Sequence, residues 1–143
     1  MKGFLYLRFS LTTRCVLVAV SGGMIISGCA KPVAPPPTHL VSGPFAMDIT
    51  TVPAPPHTGD NTLVVDLHDA KTGTQIGNAN ITVAANMVSP VTPGQAVSGR
   101  SQGGGRYDVP MRLAIGTDYD ADIHIDAPAE PSTDAHFKFN VAQ

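Results

Sequence analysis

Few side chains in this 143-residue chain have types and spacing suited to chemistry. The first group is His68, His124 and His136 with Met47, Met87 and Met111. Thioether sulfur suits Cu(I), and imidazole suits Cu(II) and Zn(II). His124 and His136 lie on the polar side of two stretches expected to form a hairpin. One antiparallel register makes them direct cross-strand neighbours, with Asp122 or Asp134 beside them, a set able to hold copper or zinc. No C-x-x-C or H-x-x-x-H spacing accompanies them. The three methionines fall on the apolar side of their stretches, where methionine is an ordinary gap-filler. The second group is Asp118, Asp120 and Asp122, whose alternation puts all three on one sheet face. Ile123 stands where a calcium loop of the EF-hand type needs glycine, so a solvated acidic face is expected. The third is the glycine-rich run from Gly99 to Gly105. It lacks the Gly-Lys-Ser/Thr of a phosphate cradle, no helix follows it, and it reads as a hairpin loop. No Gly-x-Ser-x-Gly is present. No catalytic constellation emerges, and the chain does not read as an enzyme.

Cys29 is a separate case. The chain has two cysteines, Cys15 and Cys29. Lys2, Arg8 and Arg14 make a basic front, and an apolar stretch from Cys15 to Ile26 follows, of signal-peptide length and short for a spanning helix. Ile26-Ser27-Gly28-Cys29 then resembles the bacterial lipobox position by position. That resemblance implies a signal peptide over residues 1–28, cleavage between Gly28 and Cys29, and acylation of the Cys29 thiol. The membrane is then a partner through that lipid, and the domain faces the periplasm. Ala30 follows the sorting pattern of outer-membrane rather than inner-membrane lipoproteins. Acylation also uses the sole mature thiol, which leaves neither a disulfide nor a cysteine metal site.

Beyond residue 28 the chain keeps all its acidic residues but only Lys31, Lys71, Arg100, Arg106, Arg112 and Lys138 as bases. An acidic domain does not attract nucleic acid, so none is expected as a partner. Residues 29–44 hold the lipidated cysteine and a proline-rich tether, because prolines lack donors and fix φ. Residues 45–143 hold the domain. Its apolar positions recur with period two: Phe45, Met47, Ile49; Leu63, Val65, Leu67; Ile81, Val83, Ala85, Met87; Tyr107, Val109, Met111, Leu113; Tyr119, Ala121, Ile123, Ile125; Phe137, Phe139, Val141. Val64, Asp66 and His68 are assigned outward. A weak polar strand is expected over 95–100. The fold class is all-β: an immunoglobulin-like sandwich of about seven antiparallel strands.

Within that pattern Asn61 to Leu67, the Asp-Ala-x-Thr-Gly turn at 69–73, Ala79 to Val83, a methionine closing that strand, and Gly105-Arg106-Tyr107 together resemble the YtkA/FixH-like domain over roughly residues 43–142. The family implies an extracytoplasmic module near copper transport and oxidase assembly. Its methionine-rich run is reduced here to Met87, which joins His124 and His136 as a metal candidate. Its Gly-x-Trp reads here as Gly116-Thr117-Asp118-Tyr119. The expectation is a membrane-anchored envelope lipoprotein acting as a non-enzymatic binding or assembly module with an envelope protein partner and no resident cofactor. The alternatives are a periplasmic copper- or zinc-binding protein using surface histidines, and a structural envelope lipoprotein.

Overall fold

The computed structural model describes residues 35–142. The signal segment, Gly28 and Cys29 lie outside these residues. Nine strands follow in order: β1 Thr38–Ser42, β2 Phe45–Val52, β3 Gly59–Asp69, β4 Asn80–Met87, β5 Ala96–Ser98, β6 Arg100–Gly103, β7 Arg106–Leu113, β8 Asp118–Asp126 and β9 Thr133–Asn140. They form two antiparallel sheets, one ordered β1-β2-β3-β7-β6 and the other β5-β4-β8-β9.

Alternation dictates this arrangement. Successive side chains point to opposite faces, so each strand offers one apolar side, and two such sides must meet to leave water. The core is built from Phe45, Met47 and Ile49 of β2, Leu63, Val65 and Leu67 of β3, Tyr107, Val109 and Leu113 of β7, and Ile81, Ala121, Ile123 and Ile125 of the other sheet. All were assigned inward. Val64, assigned outward, is instead 2% exposed. It sits on the central strand of the larger sheet, between Thr50 and Asp108 in register. Tyr107 places its hydroxyl where the core ends, donating to the Ile76 carbonyl at 2.9 Å and accepting from the Ala79 amide at 2.9 Å. A buried phenol needs such partners, and these pin the long β3–β4 connection.

Two features raise the strand number from about seven to nine. Thr38–Ser42 lies in the stretch assigned to the tether, yet it pairs with β2 from Thr38↔Ile49 to Ser42↔Phe45. The prolines stop at Pro37, so Thr38 onward keeps the donors an edge strand requires. The region around 95–103 is not one weak strand and a loop. Ala96–Ser98 pairs with β4, and Arg100–Gly103 crosses to pair with β7. Gly99 is the crossing point. Its amide donates to the Ile81 carbonyl at 2.7 Å, and a Cβ there would meet Val109 Cγ2 at 3.1 Å. The described residues contain no helix long and apolar enough to cross a membrane.

Candidate metal centre

The outer face of β8 and β9 gathers most of the chemistry. Alternation sends Asp118, Asp120, Asp122, His124 and Asp126 outward from β8, and Asp134, His136, Lys138 and Asn140 outward from β9. The connection between them sets how these rows meet. Pro128 precedes Ala129, whose φ is +69°, and the Glu130 amide donates to the Ala127 carbonyl at 3.3 Å. This is the backbone pattern of a type II turn. The resulting register pairs Asp122 with His136, His124 with Asp134, Asp120 with Lys138 and Asp118 with Asn140.

His124 and His136 are therefore not direct neighbours. The register is displaced by two residues from the one that would oppose them, and each histidine faces an aspartate. His124 Nδ1 lies 2.6 Å from Asp134 Oδ1, and His136 Nδ1 lies 2.7 Å from Asp122 Oδ1. An ionised carboxylate only accepts, so the ring nitrogen is the donor in both. Asn140 Nδ2 donates to Asp118 Oδ1 at 2.7 Å. The acidic face expected from the sequence is present, but it is a ladder of complementary pairs rather than a row of solvated carboxylates.

One rung differs from the others. Asp120, Asp122 and His136 each offer a ligand atom, and these atoms lie within 4.8 Å of one another. His136 Nδ1 is 3.9 Å from Asp120 Oδ1, and Lys138 Nζ is 3.8 Å from Asp120 Oδ2. Asp120 Oδ1 is buried and has no hydrogen-bond partner among the described residues, although the side chain as a whole is 27% exposed. The buried oxygen faces the cluster and the other oxygen faces Lys138. A buried carboxylate oxygen without a donor carries a desolvation cost that a cation would remove. Asp122 is held from its far side, where Asn86 Nδ2 donates to Oδ2 at 2.8 Å. Asn86 is in turn fixed by the Gly94 amide, 2.8 Å from its Oδ1.

Zinc ligands of these types bind at about 2.0–2.2 Å, which puts adjacent donors about 3 Å apart. The two contacts made by His136 Nδ1, 2.7 and 3.9 Å, bracket that value, and all three atoms lie within 4.8 Å of one another. One imidazole with two carboxylates suits Cu(II) or Zn(II) and does not suit Cu(I). His136 is thus one of the three candidate ligands, and His124 stands one rung away, outside the group. Met87 is also outside it. It pairs with Tyr119 on β8, and its side chain packs against the core on the opposite face of the sheet. Met47 and Met111 are in the core as expected. The sequence places Asp120 on the acidic face but does not join it to His136. Its place opposite Lys138, two positions from the Asp122–His136 rung, becomes visible only once the register is known.

No family model matches the chain, and no curated protein matches it in sequence. The YtkA/FixH resemblance therefore has no match behind it, and the β-sandwich fold is what stands. Two solved structures share that fold. A copper-bound variant of FetP from uropathogenic Escherichia coli aligns with a TM-score of 0.57 at 11% identity, covering 76% of this chain and 97% of that one. A DUF4426 family protein from Pseudomonas aeruginosa aligns with a TM-score of 0.51 at 12% identity, covering 73% and 94%. At these identities the likeness is one of fold.

Proposed function

We propose that this protein is an envelope lipoprotein, acylated on Cys29, whose sandwich binds one divalent copper or zinc ion through Asp120, Asp122 and His136. The observation that carries the reading is the buried, unpartnered Oδ1 of Asp120 beside an imidazole and a second carboxylate. Support comes from two further directions. The FetP structure with the same fold is copper-bound, and the YtkA/FixH resemblance points to copper transport. The role proposed is binding.

The chemistry follows from the donors. In the free protein Asp122 and the proton on His136 Nδ1 hold each other. A bound ion would take the Nδ1 lone pair, with the ring proton moved to Nε2, together with both carboxylates, and Asn86 would keep Asp122 aimed. Protons compete with the ion for all three groups, so binding weakens in acid. The site is exposed, with His136 64% open to solvent, which suits an ion that is taken up and passed on. Calorimetric titration of the full-length protein with Cu(II) and with Zn(II) tests this reading. The expected result is one ion per chain, lost in His136→Ala and retained in His124→Ala. Equal affinity in the wild-type and His136→Ala proteins would sink it.

A further inference from the structure

The two ends of the sandwich differ in the loops they present. At one end lie residues 53–58, 88–95 and 114–117, which join β2 to β3, β4 to β5 and β7 to β8. Hydrogen bonds tie this end together: Val88 N to Asp118 O at 3.0 Å, Thr117 Oγ1 to Ser89 O at 3.0 Å, and Ala142 N to Pro56 O at 3.3 Å. None of the three loops contains an Asp, Glu, Lys or Arg, and the nearest charges, Asp60, Arg112 and Asp118, sit on the flanking strands beside Val52 and Val88. Val52, Val88, Val91 and Ile115 are exposed there, Val91 at 87%. Among the described residues Val41 is the only other large apolar side chain so exposed. The opposite end is formed by residues 43–44, 70–79, 104–105 and 127–132. It carries Lys71 and Glu130, with Asp69 and Asp126 beside them, and no exposed large apolar side chain.

The chain also enters the domain at the uncharged end. Thr38 of β1 pairs with Ile49 near the close of β2, and Pro35 and Pro36 line a groove of about 250 Å³ with Ala54, Pro55 and Pro56. Pro35 is six residues after Cys29, a span of about 20 Å at full extension. We propose that this uncharged end rests on the lipid surface, with Val52, Val88, Val91 and Ile115 entering its interfacial region. The proposal rests on the lipoprotein reading given above. The short leader brings this end to the bilayer, and a few valines that would not bind membrane alone become a second contact beside the acyl chains. The acidic domain gains nothing from anionic headgroups, so the contact is apolar and is not weakened by salt.

The test uses full-length protein, processed and acylated in cells, then reconstituted in phosphatidylethanolamine–phosphatidylglycerol vesicles. With Cys29 acylated, a thiol introduced as Val91→Cys or Lys71→Cys takes an environment-sensitive fluorophore selectively. The expected result is that lipids brominated on their acyl chains quench the label at 91 at least about twofold and leave the label at 71 unchanged, with no loss of quenching at high salt. Adding Val52→Asp and Val88→Asp should remove the quenching while the protein still floats with the vesicles. Unquenched label at 91 in acylated, vesicle-bound protein would overturn this proposal alone. A label at 91 shielded without vesicles, together with a doubled hydrodynamic mass, would also overturn it and assign the end to a second copy. Absence of acyl chains on Cys29 by mass spectrometry would overturn the lipoprotein reading, and this proposal with it.

Discussion

On the five-stranded sheet His39 Nδ1 lies 2.8 Å from Asp48 Oδ1, and on the four-stranded sheet His136 Nδ1 lies 2.7 Å from Asp122 Oδ1. Each pair is exposed and each spans two adjacent strands, so the pairs themselves do not distinguish the two faces. Their neighbours do. In register Asp48 faces Asp66, and Asp66 faces Arg106 on β7. The carboxylates there spread along a row and do not converge with His39. On the other sheet Asp120 lies two residues from Asp122 on the same strand, and its buried Oδ1 approaches the same ring nitrogen. A histidine–aspartate contact in this fold is a common way to satisfy two outward side chains. A third donor with an unfilled oxygen is what turns one such contact into a candidate ion site.

Removing that third donor is the strongest way to break the comparison. Asp120→Asn should weaken Cu(II) or Zn(II) binding by about tenfold or more, at the scale seen for losing a group from a metal site. Asp48→Asn should leave the isotherm unchanged. A smaller effect comes from the cation on the same rung. Lys138 Nζ, 3.8 Å from Asp120 Oδ2, competes for the carboxylate an ion would use. Lys138→Met should tighten binding by about twofold to fivefold, the scale of an exposed ion pair, and less at high salt. Titrations at low and high ionic strength check both the change and its screening.

The smallest effect sharpens the contrast between a served and an unserved carboxylate. Asp69 Oδ1 accepts from the Thr72 amide at 2.7 Å, the Thr72 hydroxyl at 2.9 Å and the Lys71 amide at 2.9 Å. The Thr72 amide is the largest cause of a pKa lowered below the ordinary aspartate value, followed by the Thr72 hydroxyl and the Lys71 amide. A folded-state pKa below the unfolded one stabilises the protein above the unfolded value. That contribution is lost as pH falls through the folded value. Asp69→Asn should therefore lower Tm slightly near about pH 7, and the difference from wild type should shrink progressively as pH falls below the ordinary aspartate value. Thermal melts across that range measure it.

The faces of the strands were legible in the sequence because period two is a strong local signal. Leu63, Val65 and Leu67 went inward on that signal, as did Tyr119, Ala121 and Ile123. The register of β8 against β9 was not legible. Opposing His124 to His136 or displacing them by two residues leaves every side chain on the same face. The turn at Pro128 and Ala129 decides between the two, and nothing in its composition states how many residues it consumes. The place of Asp120 on the acidic face was legible, but its approach to His136 was hidden for the same reason. The first strand was hidden by the prolines before it, which extended the apparent tether past the point where backbone pairing resumes. Val64 shows the limit of alternation itself, since a central strand can be covered on its outer face as well.

The crossing at Gly99 has a consequence for how the sandwich comes apart. Residues 96–103 form the edge strand of both sheets, and one glycine is all that separates the two roles. Neither sheet can shed that edge without pulling the other, because the Gly99 amide is bonded to Ile81 in one sheet and the next residue, Arg100, already pairs with Asp108 in the other. The backbone amides that β4 gives to β5 and β7 gives to β6 therefore belong to a single opening unit, and their hydrogen exchange should rise together.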